Sequence, residues 1–481
     1  MRWGVLYILF SSLFFSTNIS AQSVPFSQGK WVKIAVSKQG FYQVTGSQLK
    51  TWGLTVPFAS SQLQLFNLNT ANLVEKVTAN MGFGLNENAI EMQDGGDGQF
   101  DNQDYFLFYS QGNIQWKWNG ALQFFEHSKN AHGDSVYYFI SLGKDGKRIQ
   151  KPNSNYIANA TTDIFDERWV MEKDTINILN SGQIWWGPAM GLGVGKQAKI
   201  TTPLNMEGLV SQSDLIFKLN YAAASTANAA NFEITLNDQK LRTTVVAPIS
   251  GYIYDDAANL VLDTFRIPLP NNLMNSNLIT ANLSVGYSSA NTNSTGWINY
   301  ITLQAKRKLG FYGGAKSLGF RNTSLVGTGK IIQYQIKDAD ASTKIWEVTQ
   351  PENPVEMTSN FQNGVTSFIQ TADSLREFFG VNKLGYETPS LVEVLNIDYP
   401  SLLNTPAADY IIISAANYLK AADSLAKFHA VHHGLATFVT TTGRVFNEFS
   451  GGQPSPIGIR NYVKYIYDKA KKNNTTTPKY L

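Results

Sequence analysis

From Lys30 to about Tyr138, short apolar or alternating runs recur between turn residues. Trp31–Val36, Leu63–Leu68, Tyr105–Tyr109 and Val136–Ile140 are rich in β-branched and aromatic side chains. Gly, Asn and Asp bound them, which predicts strands. One helix is predicted at Ser47–Trp52, with Ser47 as its cap and Gly53 at its end. The polar stretch Gly143–Ala160 reads as a linker. Beyond it, Leu215–Tyr221, Phe232–Leu236, Leu262–Ile267, Leu278–Tyr287 and Trp297–Ala305 alternate at broadly regular spacing. That pattern predicts a β-sandwich, in which Asn237-Asp238 supplies a tight turn. Ile331–Ile336 and Thr343–Val348 continue the β region to about Val394.

Near Asp409 the pattern changes. Tyr410–Ser414 is a continuous apolar run, expected of a strand buried on both faces of a parallel sheet. A helix is predicted from about Ala416 to His433, with Leu419, Ala422, Ala426 and His429 on one stripe and Gly434 placed to end it. Leu435–Val439 reads as a second buried strand, Pro456–Lys471 as a second helix, and Pro478–Leu481 as the opening of a third strand. Alternating strands and helices of this kind specify right-handed parallel crossovers. The expectation is a multidomain chain. Residues 22–142 form a β-rich N-terminal domain, 143–160 a linker, 161–394 a β-sandwich region, and 395–481 the start of a three-layer α/β domain with a parallel sheet. Such a domain usually needs about twice the roughly 70 residues of this pattern, so the chain is expected to stop inside it.

Residues 1–21 read as an export signal: Arg2 precedes Val5–Phe15, an apolar run too short to span ~30 Å of hydrocarbon as a helix. Cleavage after Ala21 would leave Gln22 first. No other stretch approaches the length of a spanning helix, so the mature chain is expected without one and outside the cell. A net charge of +3, from 39 basic and 36 acidic residues, gives no field for nucleic acid. Aromatic residues at 12% and charged residues at only 16% exclude disorder for most of the chain. The absence of Cys excludes disulfides, thiolate metal sites, an acyl-lipid anchor and a cysteine nucleophile within these 481 residues. A serine substitute has no G-x-S-x-G elbow to sit on.

Asp94, Asp97, Asp101 and Asp104, interleaved with glycines, are the candidate metal ligands. Hard carboxylate oxygens at that density suit a structural Ca²⁺, and the alternative is a plain acidic turn before Tyr105. No cofactor is otherwise required. His429 and His433 have zinc spacing, but Ala430 stands where H-E-x-x-H needs Glu and no third ligand is evident. Gly191–Gln197 departs from a phosphate loop at Met190 and Gln197. Trp185-Trp186 either stacks on a sugar or seals a domain junction. Lys306-Arg307-Lys308 reads as a solvated strand exit, with an anionic polysaccharide contact as the alternative.

The last segment resembles the opening of the gingipain-type cysteine peptidase domain. The residues are Asp409–Ile413, the helix reaching His433-Gly434, Val445–Gly452 (VFNEFSGG), and Ile459–Val463 (IRNYV), with Gly458 where Ala is usual. Upstream, Gly29–Ile34 with Gly40-Phe41-Tyr42, Ser181–Gly187, Gly296–Ile301 and Ile345–Thr349 are similar to the gingipain-like sortases of the type IX secretion system. That resemblance implies a cell-surface transpeptidase. It would remove the C-terminal signal of exported cargo through a Cys thioester and pass the new carboxyl end to anionic lipopolysaccharide, beside an outer-membrane partner such as PorV. In this family the catalytic His and Cys follow the third strand of the α/β domain, so no catalytic residue is carried to any position here. The expectation is an N-terminal portion, not competent by itself. The alternative is a secreted sandwich module that binds glycan or an envelope protein without catalysis.

Overall fold

The computed structural model describes residues 26, 29–68, 73–77, 84–153, 155–211, 213–270, 280–382 and 385–481. The expected export signal lies outside them. Alternation in the first 142 residues builds a five-stranded sheet in the order Ser390–Ile397, Gly29–Val36, Val136–Leu142, Leu63–Asn67, Asn86–Asn88. Val32 and Ile34 point to one face, where Leu65, Tyr138 and Ile140 meet Val44, Phe106 and Phe108 of a three-stranded sheet. The opposite face carries Trp31, Phe66, Phe139 and Ile397. The first strand thus buries both of its faces, and its edge is covered by a strand from far along the chain. That strand, Ser390–Ile397, crosses the boundary expected at 394, because its hydrogen bonds belong to the N-terminal sheet.

The helix α1 (Gly46–Thr51) is capped by Thr45, not Ser47. Thr45 Oγ1 accepts from Gln48 N, and the Gln48 side chain accepts from Thr45 N at 2.8 Å, a reciprocal capping box. Ser47 Oγ instead donates to the Asn102 carbonyl at 2.8 Å.

The sandwich is present as two four-stranded sheets. One is ordered Ile164–Glu172, Thr295–Lys308, Asp214–Ala224, Asn259–Pro268, and the other Lys199–Asn205, Thr280–Ser289, Ala230–Leu236, Gln239–Val246. Phe217, Leu219, Tyr221, Phe232, Ile234, Val285 and Ile301 fill the space between them. Asn237 and Asp238 both have positive φ (48° and 60°), as a two-residue hairpin of this twist requires. The region 161–394, expected as one sandwich, holds a second core as well. Phe320, Tyr334, Ile345, Phe368 and Phe378 pack between two further four-stranded sheets, formed by Ala160–Thr162 together with strands from Ser317 to Val381.

A hairpin, Ile114–Asn119 with Phe124–Lys129, reaches from the N-terminal unit onto the sandwich. The Gln304 amide donates to the Phe125 carbonyl and accepts from Phe125 N, both at 2.8 Å. His127 meets Glu172 at 2.7 Å and Lys129 meets Asp174 at 2.6 Å.

At the C-terminal end, Tyr410–Ser414 and Thr437–Thr441 pair in parallel. The second strand lies two residues beyond the start expected for it. The helix α2 (Leu419–His433) ends at Gly434 in the left-handed region, φ 63°. A helix that the sequence reading did not expect, α3 (Thr442–Phe449), follows the second strand, and α4 (Pro456–Lys472) has Ser455 as cap and Pro456 in its first turn. Leu402, Ile411, Val445, Phe449, Tyr462 and Ile466 make the core. Of Tyr410–Ser414 only Ile411 is fully buried, so burial on both faces is not complete in this sheet. The helix α2 buries Ala422 and Ala426 and leaves Leu425, Phe428 and Val431 exposed. No helix among the described residues is long and apolar enough to cross a membrane.

Candidate functional site

Tyr410 pairs in parallel with Thr437 on one side and with Tyr480 on the other. Tyr410–Ser414 is therefore central, and the chain reverses its direction of sheet growth after α4. In open α/β sheets a ligand crevice forms outside the carboxyl ends of the strands at such a switch point. Here that point is the end of the central strand, Ser414-Ala415, next to the strand that Tyr480 opens.

What holds this unit against the scaffold is the Val445–Gly452 segment. In α3, Val445 and Phe449 join the α/β core; Asn447 and Glu448 are buried too, Asn447 against Lys33 of the N-terminal sheet and Glu448 against Ser401 and Leu402. The Glu448 carboxylate accepts from Ser401 Oγ and, at 2.8 Å, from Leu402 N. Burial raises its pKa above the ordinary carboxylate value, and those two hydrogen bonds partly oppose the shift. Ser450 Oγ donates to the Gln453 carbonyl at 2.6 Å and closes a turn in which Gly451 and Gly452 have φ of 59° and 87°.

Into that turn comes Lys33, from the sheet face opposite Val32 and Ile34. Its ammonium donates to Asn447 Oδ1 at 3.0 Å and to the Gly452 carbonyl at 2.9 Å, and lies 4.5 Å from the Tyr137 ring centroid. Burial pulls its pKa down to about 8. A Cβ on Gly452 would stand 2.8 Å from Lys33 Cε, so only glycine lets the lysine approach. Asn130 Nδ2 donates to Gln453 Oε1 at 2.6 Å, and the Arg460 guanidinium reaches the carbonyls of Val74 and Glu75. Gly458 has a local reason too: a Cβ there would meet Ser450 Oγ at 2.6 Å. The sequence signal for Lys33 was faint, a single polar residue in an alternating strand.

The four acidic residues each cap a turn. Gly96 N donates to Asp94 Oδ1, Gln99 N to Asp97 Oδ1, Gln103 N to Asp101 Oδ1, and Asp101 N to Asp104 Oδ2. The neighbouring Ser60 side chain, with the Gly96 N–H, holds the Asp94 pKa low. Among the described residues no group of three or more His, Cys, Asp or Glu stands close enough to hold a metal ion. The loop's carbonyls do serve α1: Gly46 N donates to Asp104 O at 2.9 Å and Ser47 N to Asn102 O at 3.1 Å.

His429 and His433 face one another at 3.1 Å on an exposed helix face, edge-on to Tyr410 in the case of His429. Gly191–Gln197 is a turn that leads into a strand, with no helix N-terminus behind it. Trp186 is buried, and Gly187 beside it donates to the Ile298 carbonyl of the strand Thr295–Lys308. Lys306, Arg307 and Lys308 pair with Asp166, Glu167 and Asp163; Arg307 is buried, while Lys306 and Lys308 keep part of their side chains in solvent.

These features define a multidomain β scaffold that carries an α/β unit with parallel strands at its C-terminal end. Residues 404–481 match the family model of Peptidase family C25. Across the whole chain the structure is similar to the crystal structure of dimeric latent PorU from Porphyromonas gingivalis. The TM-score is 0.76 at 21% identity, over 92% of this chain and 40% of that chain. At that identity the likeness is one of fold, and the chain spans less than half the length of PorU. The CBM36-1 domain of a multidomain xylanase from the hindgut metagenome of Trinervitermes trinervoides aligns over 29% of this chain and 94% of its own, at 13% identity and a TM-score of 0.18, too low to indicate a shared fold. No curated protein matches the chain.

Proposed function

We propose that this chain is the N-terminal portion of an exported, gingipain-like cysteine peptidase that acts as a sortase of type IX secretion at the outer-membrane surface. One observation carries the reading: the C25 match begins at residue 404, where the chain leaves a scaffold that follows the PorU fold. In this reading the β units hold cargo and an outer-membrane partner such as PorV beside the switch point at Ser414, and anionic lipopolysaccharide receives the trimmed cargo. The thiolate and its base come from polypeptide beyond Leu481, since thioester chemistry needs a cysteine and the 481 residues have none. The contribution of the present residues is positional. The Lys33–Asn447–Gly452 contact fixes the α/β unit on the N-terminal sheet, and a displacement of about 1 Å at a reacting centre costs on the order of a hundredfold in rate.

The test is to extend the coding sequence past Leu481 and to compare the extended and 481-residue proteins on cargo bearing a C-terminal signal. The extended protein is expected to remove the signal and to lose that activity on thiol alkylation, while the shorter one is inert. A reading frame without a downstream His and Cys, or signal removal by the 481-residue protein itself, overturns the proposal. In the first case the sandwich would be a binding module for glycan or an envelope protein.

A further inference from the structure

At the meeting of the sandwich, the second β core and the N-terminal unit lies a cavity of ≈ 210 Å³, lined by Arg168, Arg307, Arg321, Gln39 and Trp116. Its charges do not balance. Arg168 donates to both oxygens of Glu377 at 3.0 and 3.1 Å, and Arg321 Nε donates to the same carboxylate at 3.0 Å. Arg307 is occupied by Glu167, and Asp166 by Lys306 and Thr323. Two guanidiniums therefore share one carboxylate. Burial and the neighbouring Arg321 pull the Arg168 pKa down to about 10; Glu377 opposes this, and the phenol of Tyr109, which burial keeps neutral, adds little. Exposure of the Arg168 and Arg321 side chains is only 8% and 2%.

A buried surplus of positive charge is costly, and arginine does not escape by releasing its proton at neutral pH. Arg321 spends Nε on Glu377 and Nη1 on the Asp166 carbonyl at 2.9 Å, and its Nη2 lies on the side of Gly319, which also lines the cavity. We propose that this cavity is a binding site for one small oxyanion, held by Arg168 and Arg321 and neutralising the surplus charge between the β units. The fork of a guanidinium matches a phosphate or carboxylate. The space of ≈ 210 Å³ is well above what one water needs and admits a phosphate-sized ion or short carboxylate.

The test is calorimetric titration of the full chain at constant ionic strength with inorganic phosphate, sulfate and acetate. One saturable site per chain is expected; tighter phosphate and sulfate would assign a tetrahedral oxyanion, and tighter acetate a carboxylate. Gly319→Ala supplies the control that keeps the arginines. Its Cβ would lie 3.5 Å from Arg321 Nη2 and 3.3 Å from Gln39 Oε1, filling the approach without removing charge. It is expected to weaken binding by about tenfold or more while the melting temperature without anion stays near that of the parent. Arg321→Gln is expected to abolish binding and leave Glu377 paired with Arg168. Absence of saturable binding for all three anions, or equal affinity in Gly319→Ala, overturns the site.

Discussion

Lys33 sets a charge in a place better suited to a neutral amine. Its folded pKa is about 8 against 10.5 for the free side chain. Between those values the unfolded chain holds the proton and the folded chain does not, so this group adds stability as pH rises through that window. The shift is worth roughly 3 kcal/mol. The stability of the parent relative to Lys33→Met, read from denaturant midpoints, is expected to grow between about pH 8 and 10.5; a flat difference would mean that Lys33 titrates like an exposed lysine. Glu448 has the opposite sign of dependence. Its raised pKa means that its contribution is full below the ordinary carboxylate pKa and is lost as pH rises through the folded value. Glu448→Gln keeps the acceptor for Leu402 N and removes that dependence, whereas Glu448→Ala strands two buried donors and is expected to cost about 1–3 kcal/mol in thermal or chemical denaturation. For the acidic loop, Asp101→Ala removes the acceptor of Gln103 N and is expected to cost about 1 kcal/mol equally in calcium and in chelator. A loss seen only with calcium would restore the ion. The roles of Lys33 and Glu448 are not visible in a linear reading, because their partners come from a distant turn or segment, whereas that of Asp101 lies two residues along the same turn.

Elements were more legible than contacts. The five sandwich runs alternate because one face of each meets a core, Trp31–Val36 and Tyr105–Tyr109 are largely apolar because both of their faces are covered, and the structure has strands at all of them. The helix α3 escaped because eight residues with two core positions, Val445 and Phe449, leave too short a period to detect. Thr45 was passed over as a cap because Ser47 offers the same chemistry two residues later, and only the reciprocal bond to Gln48 decides between them. The hairpin Ile114–Lys129 shows what sequence alone does not display: an element whose task is to bridge units. Its main-chain pair at Phe125 is matched by one amide, Gln304, which is 6% exposed. Gln304→Leu leaves a buried N–H and carbonyl unpaired and is expected to lower stability by about 2 kcal/mol. Circular dichroism melts would read it, and no change in midpoint would show that the hairpin does not need this anchor.

At the scale of the molecule, the strand Ser390–Ile397 changes how the chain is divided. Its own pattern, largely exposed apart from Ile397, gives no sign of a partner some 350 residues earlier, and pairing at such distance is set by the sheet, not by local propensity. A protein ending before Ser390 would uncover the edge of Gly29–Val36 and the apolar face around Trp31. Such a truncation is expected to associate, and one ending after Tyr399 to remain monomeric, by light scattering on a sizing column; the same mass for both would mean that the edge is protected by other means. The pairing of Gly29 with Ile397 also places the two ends of the scaffold side by side. Tension applied between the N-terminus and the peptidase-like segment would then fall on this antiparallel pair as an unzipping load, broken one bond at a time. The intervening β units would be bypassed, like a coil of rope tied off at its neck.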